Sequence, residues 1–440
     1  MKPVCVVSCP IDTFSGYGHR SRDFVKSLIE VKGQEWDIKI APQVWGNTPW
    51  GYLKNDDPLK TRYISGQINQ PEVWIQITVP NEFQPMGKFN IGVTAGIEST
   101  VPPPNFIDGM NRMDLNLISS NFSKEIFTQI NMEEKTPEGK IIEHKLQKPL
   151  EVLLEGLDTN LYFKDPKKSG LLDNIEENFC FLYTGHWLPG NFGEDRKNVA
   201  TLIKTFLETF KGSKKLKGPK PALLLKINKV DYSLLDKEDI LANIRKVKNE
   251  IKGELPNIYI LHGEFTNEEL NLINNDPKIK AFISFTKGEG FGRPLLEQAI
   301  TGKPVIVSNW SGHTDFIRPE YNVLIGGELK NVHKSASNSF LLEQAQWFNI
   351  NTEVASKAMK DIYKNYKKYI TESRKQTKWL KDNFSVKNMT EILNEKLKSI
   401  TFTQNIPLQM PNVKLPKLKK VNETNSVSEI KLPKLKKIDG

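Results

Sequence analysis

The sequence contains few cysteines and no long apolar run, and both features restrict the class of protein. Its three cysteines, Cys5, Cys9 and Cys180, include no Cys-x-x-Cys pair. Three cysteines cannot build a disulfide framework, so we expect a reducing compartment, the cytoplasm. No stretch approaches the ~20 apolar residues that a membrane-spanning helix needs, so no transmembrane segment is predicted. The apolar residues 4–7 are too short for the core of a secretory signal and predict a first strand instead.

Several motifs of common enzyme classes are also missing. The sequence has no Gly-x4-Gly-Lys-Ser/Thr phosphate loop and no Gly-x-Ser-x-Gly nucleophile elbow. Its six histidines have no metal-ligand spacing, so no metal site is predicted. Two of them, His19 and His313, lie in predicted loops at strand ends. They are kept as weak site candidates beside the alternative that they are structural or solvent-facing.

Positive charge is concentrated at the carboxyl terminus. The formal net charge is +10, and residues 401–440 carry eight lysines and three acidic residues. Within them, Lys-Leu-Pro-Lys-Leu-Lys-Lys occurs twice, at 414–420 and at 431–437. Proline interrupts helices and the intervening residues are polar, so we predict a disordered basic tail. It could bind a polyanion, a membrane surface or a protein partner through residues 414–438, or it could be a solvated tail only.

The length and the alternating patterns predict two α/β units in tandem. The 440 residues exceed the ~250–300 at which single cores stop growing. Short apolar runs alternate with helical spacing, as in parallel sheets covered on both faces. The predicted strands are 4–8, 36–40, 73–77, 89–94, 115–119, 179–183, 222–227, 258–261, 281–285 and 305–307. The predicted helices are 20–30, 198–210, 237–251, 267–273, 294–300 and 352–398, the last broken near 383–385.

A glycine-rich segment at residues 284–299 carries the clearest chemical signal. A strand is predicted to end near Phe285, glycines follow at 288, 290 and 292, and Pro294 stands where a helix begins. Small residues allow a ligand close to the backbone, and a helix start with free N–H groups suits a phosphate. The segment therefore predicts a phosphate-bearing ligand.

Two carboxylates, Glu289 and Glu297, flank this turn with seven residues between them. Beside a phosphate, both are repelled by its charge, so they would accept hydrogen bonds from hydroxyl groups instead. This predicts a phosphorylated ligand rich in hydroxyls. The alternative is a plain strand–turn–helix junction with two solvated glutamates.

The motif Glu-Gly-Phe-Gly-Arg-Pro-Leu-Leu-Glu at 289–297 resembles the donor-binding motif of the retaining GT-B glycosyltransferases of family 4. Further segments resemble the same family in the same order, and together they span about residues 1–400. They are 114–124, 154–163, 195–198, 301–307 and 311–316. The resemblance implies two Rossmann-like doubly wound domains that face each other across a cleft.

The resemblance also implies a domain organisation. Residues 1–165 would form an acceptor-side domain, and residues 171–384 would form the domain that binds a nucleotide sugar. A helix at 385–400 would cross back to the first domain, and residues 401–440 would be the tail. The polar, Pro- and Gly-containing residues 165–173 are typical of a linker between such domains.

The family motif assigns roles to residues of the second domain. Glu289 is implied to be catalytic, contacting the transferred sugar, and Glu297 to hold the ribose hydroxyls. The backbone of Gly290, Phe291 and Gly292 would face the sugar and the phosphates.

Two neighbouring cations precede this motif in the chain. Lys197 matches the diphosphate-binding lysine of the family. His186 follows Gly185, where the family usually has an arginine, and is a weak site candidate, and Arg196 is a candidate for the missing charge. Two basic residues just before a helix are unfavourable against its dipole, which favours an anionic ligand there. A basic turn without a ligand is the alternative.

Three residues of the first domain are weaker candidates. Gly16 and Gly18 follow the first strand, where the fold places a glycine-rich loop across the cleft from the donor phosphates. Their alternative is a tight strand-to-helix turn. Glu98 ends another predicted strand and resembles a glutamate of some family members.

The resulting expectation is a retaining glycosyltransferase that needs no metal and no cofactor. It would transfer a sugar from a UDP- or GDP-sugar to a hydroxyl group, with a glycan or lipid-linked acceptor favoured. The absence of Asp-x-Asp argues against the metal-dependent GT-A type. Two alternatives remain open: a nucleic acid as the acceptor, and a catalytically silent scaffold that docks partners through the tail.

Overall fold

The computed structural model describes residues 2–66, 69–135, 137–165, 167, 170–212, 220–398 and 400. The predicted tail at 401–440, with its repeat, lies outside these residues. Part of the predicted linker also lies outside them.

The first half of the chain forms a sheet of six parallel strands in the order β2-β1-β3-β4-β5-β8. Its strands are rich in β-branched and aliphatic residues, and every residue of β5 is buried. The strands are β1 (Val4–Cys9), β2 (Asp37–Pro42), β3 (Val73–Ile77), β4 (Phe89–Thr94), β5 (Leu115–Ile118) and β8 (Leu150–Val152). The helices are α1 (Gly16–Lys32), α2 (Pro104–Asn111) and α3 (Asn121–Gln129).

The second half repeats this architecture with a sheet in the order β11-β10-β9-β12-β13-β14, again parallel throughout. Helices cover both faces of it. The strands are β9 (Cys180–His186), β10 (Ala222–Asn228), β11 (Ile258–Leu261), β12 (Ile279–Ser284), β13 (Val305–Ser308) and β14 (Val323–Ile325). The helices are α4 (Val199–Phe210), α5 (Leu234–Asn249), α6 (Asn267–Asn275), α7 (Arg293–Ala299), α8 (Thr352–Lys364), α9 (Tyr366–Asn383) and α10 (Val386–Leu397).

The prediction of an α/β fold with two doubly wound sheets is confirmed. The ten predicted strands are present, and those at 73–77, 89–94 and 258–261 have the predicted bounds. The predicted break near 383–385 separates α9 from α10, whereas the break at Asn365 between α8 and α9 was not predicted. The boundaries of the two proposed domains stay predictions.

Six strands escaped the sequence analysis. The strands β8 and β14 have three residues each, which is too short for a clear period. The other four form two antiparallel hairpins, and β15 is exposed at every residue, so it shows no alternation of apolar and polar residues. These strands are β6 (Asn131–Lys135), β7 (Ile141–Lys145), β15 (Gly327–Asn331) and β16 (Gln346–Ile350).

Helix α10 packs against α1 of the first sheet. Its buried residues recur at helical spacing, at Met389, Thr390, Leu393 and Leu397. The hydroxyls of Thr390 and Ser27 lie 2.7 Å apart across this interface. After forming the second sheet, the chain therefore returns to the first half, where its last described helix packs. No helix in the described ranges is long and apolar enough to cross a membrane.

Shortening Leu393 should weaken the docking of α10. This side chain is fully buried, so Leu393→Ala should lower the free energy of unfolding by about 2–5 kcal/mol through lost burial and a cavity. Urea-induced unfolding measures the change. The exposed neighbour Glu391 provides the control, since Glu391→Ala should stay within about 0.5 kcal/mol. Equal effects of the two variants would contradict the observed packing.

Candidate functional site

The loop between β12 and α7 holds Glu289, and α7 itself carries Glu297, both at the carboxyl end of the second sheet. Gly292 caps α7 with φ 98°, a left-handed conformation that favours glycine. Pro294 occupies the first turn of α7, where its missing N–H costs no hydrogen bond. The backbone N–H of Glu289 donates to Ser311 Oγ (2.9 Å), and its carbonyl accepts from Gly312 N (2.9 Å). The loop is thus tied to the segment after β13.

Glu289 lies between two cations. Lys197 Nζ is 2.6 Å from Glu289 Oε1, and Arg196 Nη1 is 3.3 Å from Glu289 Oε2. Arg196 Nη1 also donates to the carbonyl of Gly288 (2.7 Å). The side chain of Glu289 is only 10% exposed. A carboxylate so deeply buried is stabilised by paired, hydrogen-bonded cations.

These cations decide the charge of Glu289. Burial by itself raises the pKa of a carboxyl group, but the charges of Lys197 and Arg196 outweigh it and lower the pKa of Glu289 to about 2. Glu289 is therefore ionised at neutral pH and cannot act as a proton donor there.

A local turn aims the two cations at Glu289. Asn198, the residue before α4, has a left-handed backbone (φ 56°), a conformation that asparagine tolerates better than most residues. Its N–H donates to Asp195 Oδ1 (2.8 Å). The carbonyl of Arg196 accepts from Lys287 N (2.7 Å), which joins this turn to the loop after β12.

Glu297 belongs to a second buried cluster around Arg293. Arg293 Nε donates to Glu297 Oε1 (3.0 Å), while Nη1 is 2.8 Å from Asp23 Oδ2 and 3.5 Å from Glu155 Oε2. Asp23 lies on α1 and Glu155 follows β8, so the cluster links the two halves of the chain. Burial raises the pKa of Glu297, although Arg293 opposes the shift.

Two glycines of the motif are needed where the two halves meet. A Cβ on Gly288 would lie 1.9 Å from Glu98 O, and one on Gly290 would lie 2.4 Å from Ala95 O. Arg196 Nη2 also pairs with Glu98 Oε1 at 3.5 Å. The small size of Gly288 and Gly290 therefore allows the loop after β4 to pack closely against this segment, and it would also allow a ligand close to the backbone.

A cavity of about 200 Å³ lies between these loops. Six of the predicted site residues line it, and several residues that were not predicted line it too. The predicted residues are Gly16, Glu98, Glu289, Gly290, Phe291 and Gly292, and the others include Tyr17, Arg20, Trp45, Glu155 and Arg293. The side chain of Phe291 points into the core, where its ring centroid is 4.9 Å from that of Phe316.

The remaining predicted residues lie around this centre. Arg196 and Lys197 contact the lining residue Glu289, and Glu297 contacts the lining residue Arg293. Gly18 is instead a packing residue, because a Cβ there would lie 2.3 Å from Thr13 O.

The three candidate histidines are outside the cavity lining. His186 ends β9 and is exposed. His313 is fully buried, and its Nε2 lies 2.7 Å from Ser308 O. His19 is half-buried on α1, with its ring centroid 5.8 Å from that of Tyr52. The burial of His313 agrees with the structural role that was the alternative to a site role for this residue.

Sequence reasoning missed Arg293, Tyr17 and Trp45. One signal was available for Arg293, which stands four residues before Glu297 and so faces it on a helix. No local signal links Tyr17 to Trp45, whose rings stack with centroids 4.1 Å apart. Across the described residues, no group of three or more His, Cys, Asp or Glu side chains is placed to hold a metal ion.

Comparison with known proteins identifies the architecture. No protein-family model matches the sequence, and no curated protein matches it significantly. Sucrose-phosphate synthase of Thermosynechococcus elongatus superposes with a TM-score of 0.57 at 10% identity, over 90% of this chain and 98% of that one. HepE of Anabaena, solved with UDP and glucose, gives 0.56 at 14% identity, over 90% and 100%.

The lipopolysaccharide outer core galactosyltransferase WaaB gives a TM-score of 0.51 at 14% identity, over 90% of this chain and 98% of its own. These structures cover both sheets of the chain. The protein therefore has the two-domain GT-B fold, which confirms the fold implied by the sequence resemblance.

The pairing of Glu289 predicts a pH-dependent contribution to stability. Its pKa falls from an ordinary 4.5 to about 2 on folding, so the ionised form stabilises the fold above pH 4.5, and this stabilisation is lost as the pH falls towards 2. Glu289→Gln should thus be less stable than wild type by about 3 kcal/mol at pH 7, with a difference that shrinks below pH 4.5.

Urea unfolding at pH 7, 5, 4 and 3.5 measures this difference. Glu391→Gln, on the exposed face of α10, is the matched control and should show no such trend. If the free energies of unfolding of Glu289→Gln and wild type differ by a constant amount from pH 7 to 3.5, the assigned charge state of Glu289 is wrong.

Proposed function

We propose that the protein is a retaining, metal-independent glycosyltransferase that moves a sugar from a nucleoside-diphosphate sugar to a hydroxyl acceptor. The observation that carries this proposal is the buried Arg196–Glu289–Lys197 network at a cavity between two doubly wound sheets. Ligands of such sheets bind at the carboxyl ends of the strands, where this network lies.

The two cations suit the leaving group. When the bond between the anomeric carbon and the phosphate oxygen breaks, negative charge grows on the diphosphate. Arg196 and Lys197 are already in place to stabilise that charge, in a site with little water. The ribose hydroxyls would be held by Glu297, whose position Arg293 fixes.

Glu289 would act as an ionised acceptor. With a pKa of about 2 it has no proton to give at neutral pH, but it can accept a hydrogen bond from a sugar hydroxyl and stabilise positive charge at the anomeric carbon. The acceptor oxygen then forms the new bond on the face that the phosphate leaves, and its proton passes to the departing phosphate. This course retains the anomeric configuration.

The acceptor would approach from the first half of the chain. Tyr17 and Trp45 form a stacked aromatic pair beside the cavity, and aromatic faces with polar neighbours suit a sugar ring. This supports a glycan over a nucleic acid as the acceptor.

The donor is proposed from a structural neighbour. HepE was solved with UDP-glucose, which favours UDP among the donors, with GDP as the second candidate. Three free, buried cysteines fit a cytoplasmic enzyme.

Release of free nucleotide tests the proposed activity. We expect the purified chain to release nucleotide from one of UDP-, GDP- or ADP-sugars in the presence of EDTA. Glu289→Gln should lose at least about a hundredfold in rate, because it removes a charge at the reacting centre. Nuclear magnetic resonance of the product should show the donor's anomeric configuration.

Glu391→Gln is again the matched control and should turn over like wild type. Activity that EDTA abolishes and a divalent ion restores would contradict metal independence but not the transferase activity. Absence of turnover with every donor would contradict the transferase and favour the scaffold alternative.

A further inference from the structure

Lys226 lies on the face of the second sheet that carries Glu297. Side chains alternate along β10, and Leu225 and Ile227 pack in the core beside α4 and α5. Lys226 therefore points to the opposite face, with Leu224, which packs in the core that includes α7. It stands two residues before the carboxyl end of β10, at the edge where ligands of these sheets bind.

The side chain of Lys226 forms no hydrogen bond and no ion pair with the residues that the structure describes. No hydrogen-bond acceptor and no carboxylate within 4.0 Å meets its Nζ there, although the residue is half-buried. Its Nζ lies 5.6 Å from the ring centroid of Phe265 and 5.9 Å from that of Tyr232, within range of a cation–π interaction. Burial lowers the pKa of Lys226, while the charge of Glu297 raises it. Lys197 and Lys287, in contrast, are both ion-paired.

The loops that carry the two rings are fixed before any ligand arrives. Asp236 at the start of α5 accepts from the N–H groups of Lys229 and Val230, each at 2.9 Å. Its Oδ2 also lies 2.9 Å from His262 Nε2. The loop after β10, with Tyr232, is thereby tied to the loop after β11, with Phe265. Loops that are preorganised in this way lose little entropy when a flat ligand binds to them.

We propose that Lys226, Tyr232 and Phe265 form the subsite for the nucleobase of the donor, and that Lys226 selects a base with a carbonyl group, uracil or guanine, over adenine. The inference rests on the proposed function, because Glu297 would hold the ribose to which the base is attached. The ammonium group of lysine has three donors and no acceptor. Uracil and guanine present a carbonyl oxygen where adenine presents its amino donor, and the acceptors of adenine are ring nitrogens.

The aromatic rings complete the recognition. A base that enters beside Tyr232 or Phe265 gains stacking with either ring, which is tolerant of base identity. The selectivity then comes from the single polar contact of Lys226. At the position of that carbonyl, adenine would meet the ammonium with a second donor, so the site should reject adenine more strongly than it prefers one keto base over the other.

Binding of free nucleotides to the full chain tests this assignment. We expect wild type to bind UDP or GDP at least about tenfold more tightly than ADP in isothermal titration calorimetry. Lys226→Met keeps the apolar stem and removes the donors, so it should weaken the preferred nucleotide by about tenfold or more and leave ADP unchanged.

Lys280→Met is the matched control. Lys280 is also a half-buried strand lysine near an aromatic ring, with its Nζ 5.7 Å from the centroid of Tyr366. It stands at the amino end of β12, far along the strand from the candidate site, so its variant should bind all three nucleotides like wild type. Circular dichroism and thermal unfolding verify that both variants are folded.

Three results would overturn the subsite. Equal weakening of UDP, GDP and ADP by Lys226→Met would place the ammonium on the diphosphate instead, and wild type that binds ADP as tightly as UDP and GDP would remove the selectivity. Both leave the proposed transferase intact. Wild type that binds none of the three nucleotides would contradict the proposed function itself, and the subsite with it.

Discussion

The buried ion pair between Lys197 and Glu289 is the interaction on which the candidate site depends. It brings the turn before α4 onto the loop after β12, and it keeps a carboxylate charged in a place where burial alone would neutralise it. Arg196 extends the pair to Glu98 of the first half. The ion pair thus keeps Glu289 ionised and joins the loops that surround this residue.

A second constraint is the close approach of the two halves of the chain. Gly288 and Gly290 leave no room for a Cβ beside the loop after β4, and Arg293 pairs with Asp23 and Glu155 across the same boundary. The glycines and the charges therefore work together. A ligand in the cavity would touch both halves, which is the arrangement that a transfer between a donor and an acceptor requires.

The cations around the second sheet divide into two kinds. Lys197, Arg196 and Arg293 are each paired with carboxylates, and they lie where an anion or a hydroxyl-bearing ligand would bind. Lys226 is held by no carboxylate among the described residues and faces two rings. The first kind suits the diphosphate and ribose common to all donors, and the second suits the base that differs between them.

The sequence by itself determined the α/β class, the alternation of strands and helices, and the positions of Glu289 and Glu297, because these depend on local periodicity and on one contiguous motif. It also predicted Arg196 and Lys197 as site residues, but not Arg293, which pairs with Glu297. Only the tertiary structure decided the charge of Glu289, the cluster around Arg293 and the surroundings of Lys226. The first two depend on residues more than 90 positions away in the sequence, such as Lys197 for Glu289 and Asp23 for Arg293. Coulomb interactions between residues so far apart leave no periodic signal in a chain.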